Sequence, residues 1–268
     1  VVASYPGVPL EVAARLGIPS VLLPHGPMMI GEDRYHRCLP ESVAIGAVGP
    51  RHRAALLADG IAADRVRVTG VPGTVSEPMR PRRPGRGRGV HLLLPTGEAA
   101  RPTQVGTLPV VDFAREHACI AGLAAAVARR GWTLEVRPHP RYDRDAAYYH
   151  AAVGRTPGVS VVPATRRRLA DAVAEADAVI FTGAPSSALA EAASAGRPVF
   201  RLRQAELLEH AGRWGLEAVA GVADVATLIR RLEPLAADEG AWTAAAAQAS
   251  AVGRDLLAPG GDLVAAAF

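Results

Sequence analysis

Short apolar runs alternate with helical segments along most of the chain, and this alternation constrains the fold more than any other feature. Runs typical of strands include PSVLLP, GVHLLLP, TLEVRP and DAVIFTG, and patterns typical of helices, such as PLEVAARLG and SSALAEAASAG, lie between such runs. Strands that alternate with helices predict parallel βαβ units. We therefore predict an α/β protein built from parallel sheets.

A segment rich in Arg, Pro and Gly, residues 79–89, separates two blocks of this alternation. It is typical of an interdomain linker, and its lack of aromatic residues argues against an RNA-binding Arg-Gly segment. We predict a partial Rossmann-like domain over 1–78, a ligand-binding Rossmann-like domain over 90–233 and a helical tail over 234–268, with mostly helical structure from about Ala205. The opening VVASY is typical of a strand interior, so we expect the first domain to be incomplete.

The charged residues narrow the class of ligand. All 30 basic residues are Arg, and the formal net charge is +4 over 268 residues. This balance suits a small anionic ligand and does not require nucleic acid. A phosphate site in such a chain must use Arg, His or backbone N–H groups.

Other classes of protein are disfavoured by what the sequence lacks. It shows no apolar run long enough to cross a bilayer and no visible signal peptide, and its two cysteines are isolated. We therefore expect a cytoplasmic protein, with peripheral membrane contact left open. Neither metal-ligand spacing nor a glycine-rich phosphate loop is present, so no metal or other cofactor is predicted.

Polar residues follow the predicted strands at their carboxyl ends, where open parallel sheets bind ligands. They are His25 after PSVLLP, Thr96 and Gly97 after HLLLP, Arg137 and His139 after LEV, and Thr182, Gly183, Ser186 and Ser187 after AVIF. Because carboxyl ends of parallel strands meet at one edge of a sheet, we expect these residues to converge on one rim.

The segment TGAPSSALAE predicts a phosphate site at the start of a helix. The first helical N–H groups lack intrahelical partners, and the helix dipole favours negative charge there. Taken alone, the segment is better explained by Ser186 acting as an N-cap. Arg137 and His139 on a neighbouring strand favour the phosphate interpretation, because both side chains donate hydrogen bonds and the flanking prolines restrict the backbone.

His25 is the candidate for acid–base chemistry. It ends a predicted strand of the first block, directly before Gly26, and histidine has an intrinsic pKa suited to taking a proton from a hydroxyl group. A structural role in a turn explains His25 equally well.

The order of four segments resembles the GT-B-fold superfamily. These are IPSVLLPHG, AIGAVGPRHRAALLADGIAADRVRVTGVPG, RPHP and DAVIFTGAPSSALAEAASAGRPVF. The pairing of an HP motif with a Ser-Ser motif is similar to the branch with CDP-glycerol glycerophosphotransferases, capsule-type transferases and bacterial sialyltransferases. UDP-GlcNAc 2-epimerases are similar in general layout.

The resemblance implies a transferase that moves a group from a nucleotide-activated sugar or polyol phosphate to a hydroxyl acceptor. It implies that Arg137, His139, Thr182, Gly183, Ser186 and Ser187 contact the donor phosphates. Glu191, with Thr96 and Gly97, would face the donor's ribose or sugar, and His25 would be the base. Gly183 stands where many retaining enzymes carry a carboxylate, which argues against that subgroup. A 2-epimerase, or a degenerate relative that only binds a nucleotide or a partner, stays an alternative.

Overall fold

The computed structural model describes residues 2–3, 8–23, 39–71, 89–96, 113–139, 146–182, 187–202 and 219–258, and all structural statements concern these ranges. The strands are β1 (Val2–Ala3), β2 (Ser20–Leu22), β3 (Val43–Ala47), β4 (Val66–Val68), β5 (His91–Pro95), β6 (Thr133–Arg137), β7 (Val159–Val161), β8 (Ala178–Thr182), β9 (Val199–Leu202) and β10 (Ala220–Val222). The α-helices are α1 (Val8–Arg15), α2 (Pro50–Ala58), α3 (Phe113–Ala128), α4 (Ala146–Val153), α5 (Leu169–Glu175), α6 (Ser187–Ser194), α7 (Val225–Ala237) and α8 (Glu239–Leu256).

The strands form two parallel sheets, which confirms the predicted α/β fold class. The first sheet has the order β1-β2-β3-β4, and its core contains Leu10 of α1, Ile45 of β3 and Leu56 of α2. The second has the order β10-β9-β8-β5-β6-β7. The boundaries predicted at 78, 89 and 233 stay predictions, and most of the predicted linker lies outside the described residues.

The second sheet is covered by helices on both faces because its central strands carry apolar side chains on both sides. Leu92 and Leu94 of β5 belong to a core shared with α3, α4 and α7. Leu93, which points to the opposite face, belongs to a core shared with α5, α6 and α8. All three leucines are 0% exposed. This double burial is typical of parallel sheets and explains why HLLLP shows no polar alternation.

Helix α8 packs against both halves of the molecule. It contacts α6 beneath the second sheet and α2 of the first block. Arg51 of α2 pairs with Asp255 at 2.7 Å, and the Ala258 amide donates to the Val48 carbonyl at 2.8 Å. A Cβ atom on Gly49 would lie 2.4 Å from the Leu256 carbonyl oxygen, so this contact requires a glycine.

The structure adds one strand to the elements expected from the sequence. Residues after about Ala205 are predicted to be mostly helical, and α7 and α8 fit that expectation, but β10 lies in the same region. Its three residues pair with β9 at the edge of the second sheet. Ala-Gly-Val carries no periodic signal, so this strand depends on the tertiary contact. Within the parts of the chain described above, no helix has the length and apolarity needed to cross a membrane.

Candidate functional site

The second sheet reverses its direction of growth between β5 and β8. From β5 the chain adds β6 and then β7 on one side, and it returns to place β8, β9 and β10 on the other side. Open parallel sheets bind ligands at such a reversal, beyond the carboxyl ends of the two strands. We call this place the switch crevice and define it by Thr96, which follows β5, and Thr182, which ends β8.

The structure places both threonines of the crevice in fixed, buried positions. Thr96 is 4% exposed, and its amide donates to the Arg137 carbonyl at 2.9 Å. Thr182 is 1% exposed, and its hydroxyl donates to Oε1 of the Glu116 carboxyl group at 3.1 Å. The hydrogen bond from Thr96 also joins the ends of β5 and β6. Thr96, Arg137 and Thr182 therefore lie on one rim, as expected from the strand pattern.

One terminal nitrogen of the Arg137 side chain binds the protein backbone. It is 5% exposed, and its Nη2 donates to the carbonyl of Ala164 at 3.2 Å and, through a short contact, to the carbonyl of Arg167. Both carbonyls belong to the segment between β7 and α5. These bonds hold that segment against the end of β6. The sequence predicts that Arg137 contacts phosphate, and it does not predict this structural role.

A small ion network lies beside Arg137 on the same face of β6. Arg167 pairs with Glu135 at 2.5 Å and with Glu175 at 2.7 Å. Burial raises the pKa of Glu135 above its usual range, and the positive charges of Arg167 and Arg137 oppose this rise. Arg137 therefore stabilises the charge of Glu135 as well as the loop carbonyls.

The remaining predicted site residues are described only in part. His139 lies two residues beyond β6 at the rim and is half-buried, and Glu191 is a half-buried residue of α6. Ser187 is the first residue of α6, which therefore begins shortly after β8, but its side chain is not described. His25, Gly97, Gly183 and Ser186 lie outside the described residues. Contacts of these residues with a ligand stay predictions.

The structure also identifies a residue that the sequence reasoning missed. Glu116 lies in the first turn of α3, is 1% exposed and accepts the hydrogen bond from Thr182. Burial raises the pKa of Glu116 to about 7, and the hydrogen bond from Thr182 opposes that rise. The signal was present: Glu116 shares a helical stripe with the buried Ile120, Leu123 and Val127.

A cavity elsewhere in the molecule fits a nucleotide less well than the crevice does. A cavity of about 90 Å³ lies between α8 and the amino ends of β9 and β10. Its lining is apolar apart from Gln248, so it offers few partners for phosphate.

Among the described residues, no group of three or more His, Cys, Asp and Glu side chains is arranged to hold a metal ion.

Comparison with known proteins gives structural but no sequence-level matches. No protein-family model matches the chain, and no curated protein matches it. Solved structures do match. The UDP complex of S. aureus MnaA is 13% identical with a TM-score of 0.58, covering 96% of this chain and 67% of that chain. UDP-GlcNAc 2-epimerase from Neisseria meningitidis, bound to UDP-GlcNAc, is 14% identical with a TM-score of 0.56, covering 96% and 70%.

A third solved structure has a similar fold. Acinetobacter baumannii MurG is 15% identical with a TM-score of 0.53, covering 96% of this chain and 70% of that chain. Identities this low carry information on fold and not on activity. The chain thus has the two-sheet, GT-B-like fold of glycosyltransferases and UDP-GlcNAc 2-epimerases.

Proposed function

We propose that the switch crevice binds the nucleotide of an activated sugar or polyol phosphate, and that the chain transfers the activated group to a hydroxyl acceptor. The reversal of the sheet between β5 and β8 carries this proposal, because nucleotides bind at such reversals in open parallel sheets. Further support comes from neighbours of the same fold that were solved with UDP or UDP-GlcNAc.

The donor phosphates would lie between the end of β6 and the start of α6. The amino end of α6 supplies unpaired N–H groups and the positive end of a helix dipole. His139 would donate a hydrogen bond from the β6 side, and Ser186 and Ser187 would add hydroxyl groups. Arg137 would act mainly through the loop carbonyls that it holds. Glu191, Thr96 and Gly97 would face the ribose or sugar.

The proposed reaction is a displacement at the activated group. The acceptor oxygen forms a bond to the sugar carbon or polyol phosphorus while the bond to the nucleotide breaks, and the nucleotide leaves with the electron pair. Charge that develops on the leaving phosphate is stabilised by His139 and the start of α6. His25 would take the proton of the acceptor hydroxyl.

Two alternatives make different predictions about activity. The similar UDP-GlcNAc 2-epimerase structure favours epimerisation of a nucleotide sugar. A degenerate relative would bind a nucleotide without turnover. The sequence leaves the nucleobase open, and the neighbours solved with UDP or UDP-GlcNAc favour uridine. Calorimetric titration with CMP, CDP, UDP and GDP distinguishes the bases, and parallel assays of donor hydrolysis, transfer and epimerisation distinguish the reactions.

Replacing His139 by Ala is expected to weaken binding of the preferred nucleoside diphosphate about tenfold, because one charge-assisted hydrogen bond to phosphate is lost. The measurement is the dissociation constant from calorimetry. His150→Ala, in an exposed position of α4, is the matched control and should bind as the wild type does.

His25→Ala should retain nucleotide affinity and lose turnover. Unchanged affinity in His139→Ala together with lost affinity in His25→Ala would reverse the two proposed roles. Absence of binding to all four nucleotides would contradict the proposed function itself.

A further inference from the structure

Glu116 is a buried carboxyl group whose negative charge is stabilised by one hydrogen bond and by its place in the first turn of α3. Its Oε1 accepts one hydrogen bond, from the Thr182 hydroxyl. Its Oε2 is buried and has no hydrogen-bond partner among the residues that the structure describes. A buried carboxylate with a single neutral donor is costly, so the protonated form is favoured.

Among the residues that the structure describes, no charged group offsets this cost. Burial raises the pKa of Glu116 to about 7, and the hydrogen bond from Thr182 opposes this rise by a smaller amount. Titratable or charged residues do occur on α3 and on the elements packed against it, but none of them is a cause of the raised pKa of Glu116. They are Arg115, His117 and Cys119 on α3, Tyr148, Tyr149 and His150 on α4, Glu135 and Arg137 on β6, and Arg230, Arg231 and Glu233 on α7.

The position of Thr182 connects this carboxyl group to the crevice. Thr182 ends β8 and defines one side of the crevice, and its hydroxyl proton is engaged by Glu116. A diphosphate above β8 would bring negative charge near Glu116. Negative charge nearby disfavours the ionised form of a carboxyl group and raises its pKa.

We propose that Glu116 couples nucleotide binding to proton uptake: the crevice binds its polyanion above a neutral Glu116–Thr182 pair, and ionisation of Glu116 weakens binding. This inference rests on the proposed nucleotide site. The proton comes from solvent and stays on Glu116 while the ligand is bound. Glu116 is thus a positioning residue that acts through Thr182 and through its own charge.

The unliganded protein provides the first test. A carboxyl group whose pKa is higher in the folded than in the unfolded chain loses its proton from the unfolded chain first, so stability falls as pH rises between the two values. We expect the melting temperature of the wild type to fall by roughly 5 °C relative to Glu116→Gln between pH 4.5 and pH 7.5. A constant difference across this range would contradict a neutral Glu116.

The second test measures protons taken up on binding. The probe is UDP-glucose or CDP-glucose, whichever base binds more tightly, because the charge of either diphosphate diester is constant between pH 6 and 8. Calorimetry at pH 7.5 in buffers of different ionisation enthalpy gives the proton number. If the ligand raises the pKa of Glu116 by about one unit, the wild type takes up about half a proton more than Glu116→Gln. Its affinity should also fall about fivefold between pH 6 and pH 8 through this group.

Thr182→Val serves as a second variant, because it removes the hydrogen bond that lowers the pKa of Glu116 while keeping the shape of the side chain. Its pH midpoints should move upward in both tests.

Proton uptake by His139 would persist in Glu116→Gln, so the difference in uptake between the wild type and Glu116→Gln isolates Glu116. Equal proton uptake in wild type and Glu116→Gln, with the nucleotide sugar bound, overturns this inference alone. Absence of binding in all variants overturns the proposed function.

Discussion

Gly253→Ala is expected to lower the free energy of unfolding by about 3 kcal/mol, because the new methyl group has no space. Its Cβ would lie 2.2 Å from the amide nitrogen of Ser194 and 2.5 Å from the carbonyl carbon of Ala193. These are backbone atoms of α6 and the chain cannot move them without separating α6 from α8. The measurement is chemical denaturation followed by circular dichroism.

Gly122→Ala is the matched control in another helix. The nearest atom to its new methyl group would be Cγ2 of Val225 at 3.8 Å, which is ordinary contact. Because alanine favours a helix more than glycine does, this variant should be more stable than the wild type by up to about 1 kcal/mol. Equal stabilities of Gly253→Ala and Gly122→Ala would contradict the close packing of α6 against α8.

Arg137→Met is expected to lower the free energy of unfolding by about 3 kcal/mol and to leave nucleotide affinity of the folded protein within about threefold. The variant loses the bonds to the carbonyls of Ala164 and Arg167 and leaves Glu135 with less positive charge nearby. Denaturation and calorimetric titration on the same samples separate the two quantities.

Arg168→Met is the control for loss of a guanidinium group. The Arg168 side chain is 83% exposed and pairs with Asp171 three residues away, so its removal should cost less than about 0.5 kcal/mol. If Arg137→Met were as stable as this control and bound nucleotide more than about tenfold more weakly, Arg137 would contact phosphate directly, as the sequence alone predicts.

The central strands were predictable because they are buried on both faces. HLLLP and AVIFT are apolar throughout, and they form β5 and β8 as expected. The three-residue β10 was not predictable, because its residues show no periodic strand pattern and the strand depends on pairing with β9. Local sequence patterns therefore predict the strands of the sheet, except where a short edge strand depends on pairing with the neighbouring strand.

The rim of the site was predictable, but the partners of its side chains were not. The rule that strand ends converge places Thr96, Arg137 and Thr182 together. The hydrogen bonds of Arg137 reach residues that lie 27 and 30 positions further along the sequence, and a local sequence pattern cannot predict such contacts. Glu116 was predictable in principle, since it interrupts the apolar stripe of α3, but its bond to Thr182 spans 66 residues.

The binding of a nucleoside diphosphate at the switch crevice is tested most directly by backbone amide chemical shifts during titration with UDP and with CDP. We predict that the largest changes fall at the carboxyl edge of the second sheet, at Thr96, His139, Thr182 and Ala188. Small changes are predicted at its amino edge, at His91, Trp132 and Val159. Amide signals that stay unchanged with both nucleotides, or changes concentrated at the amino edge, would contradict the proposed site.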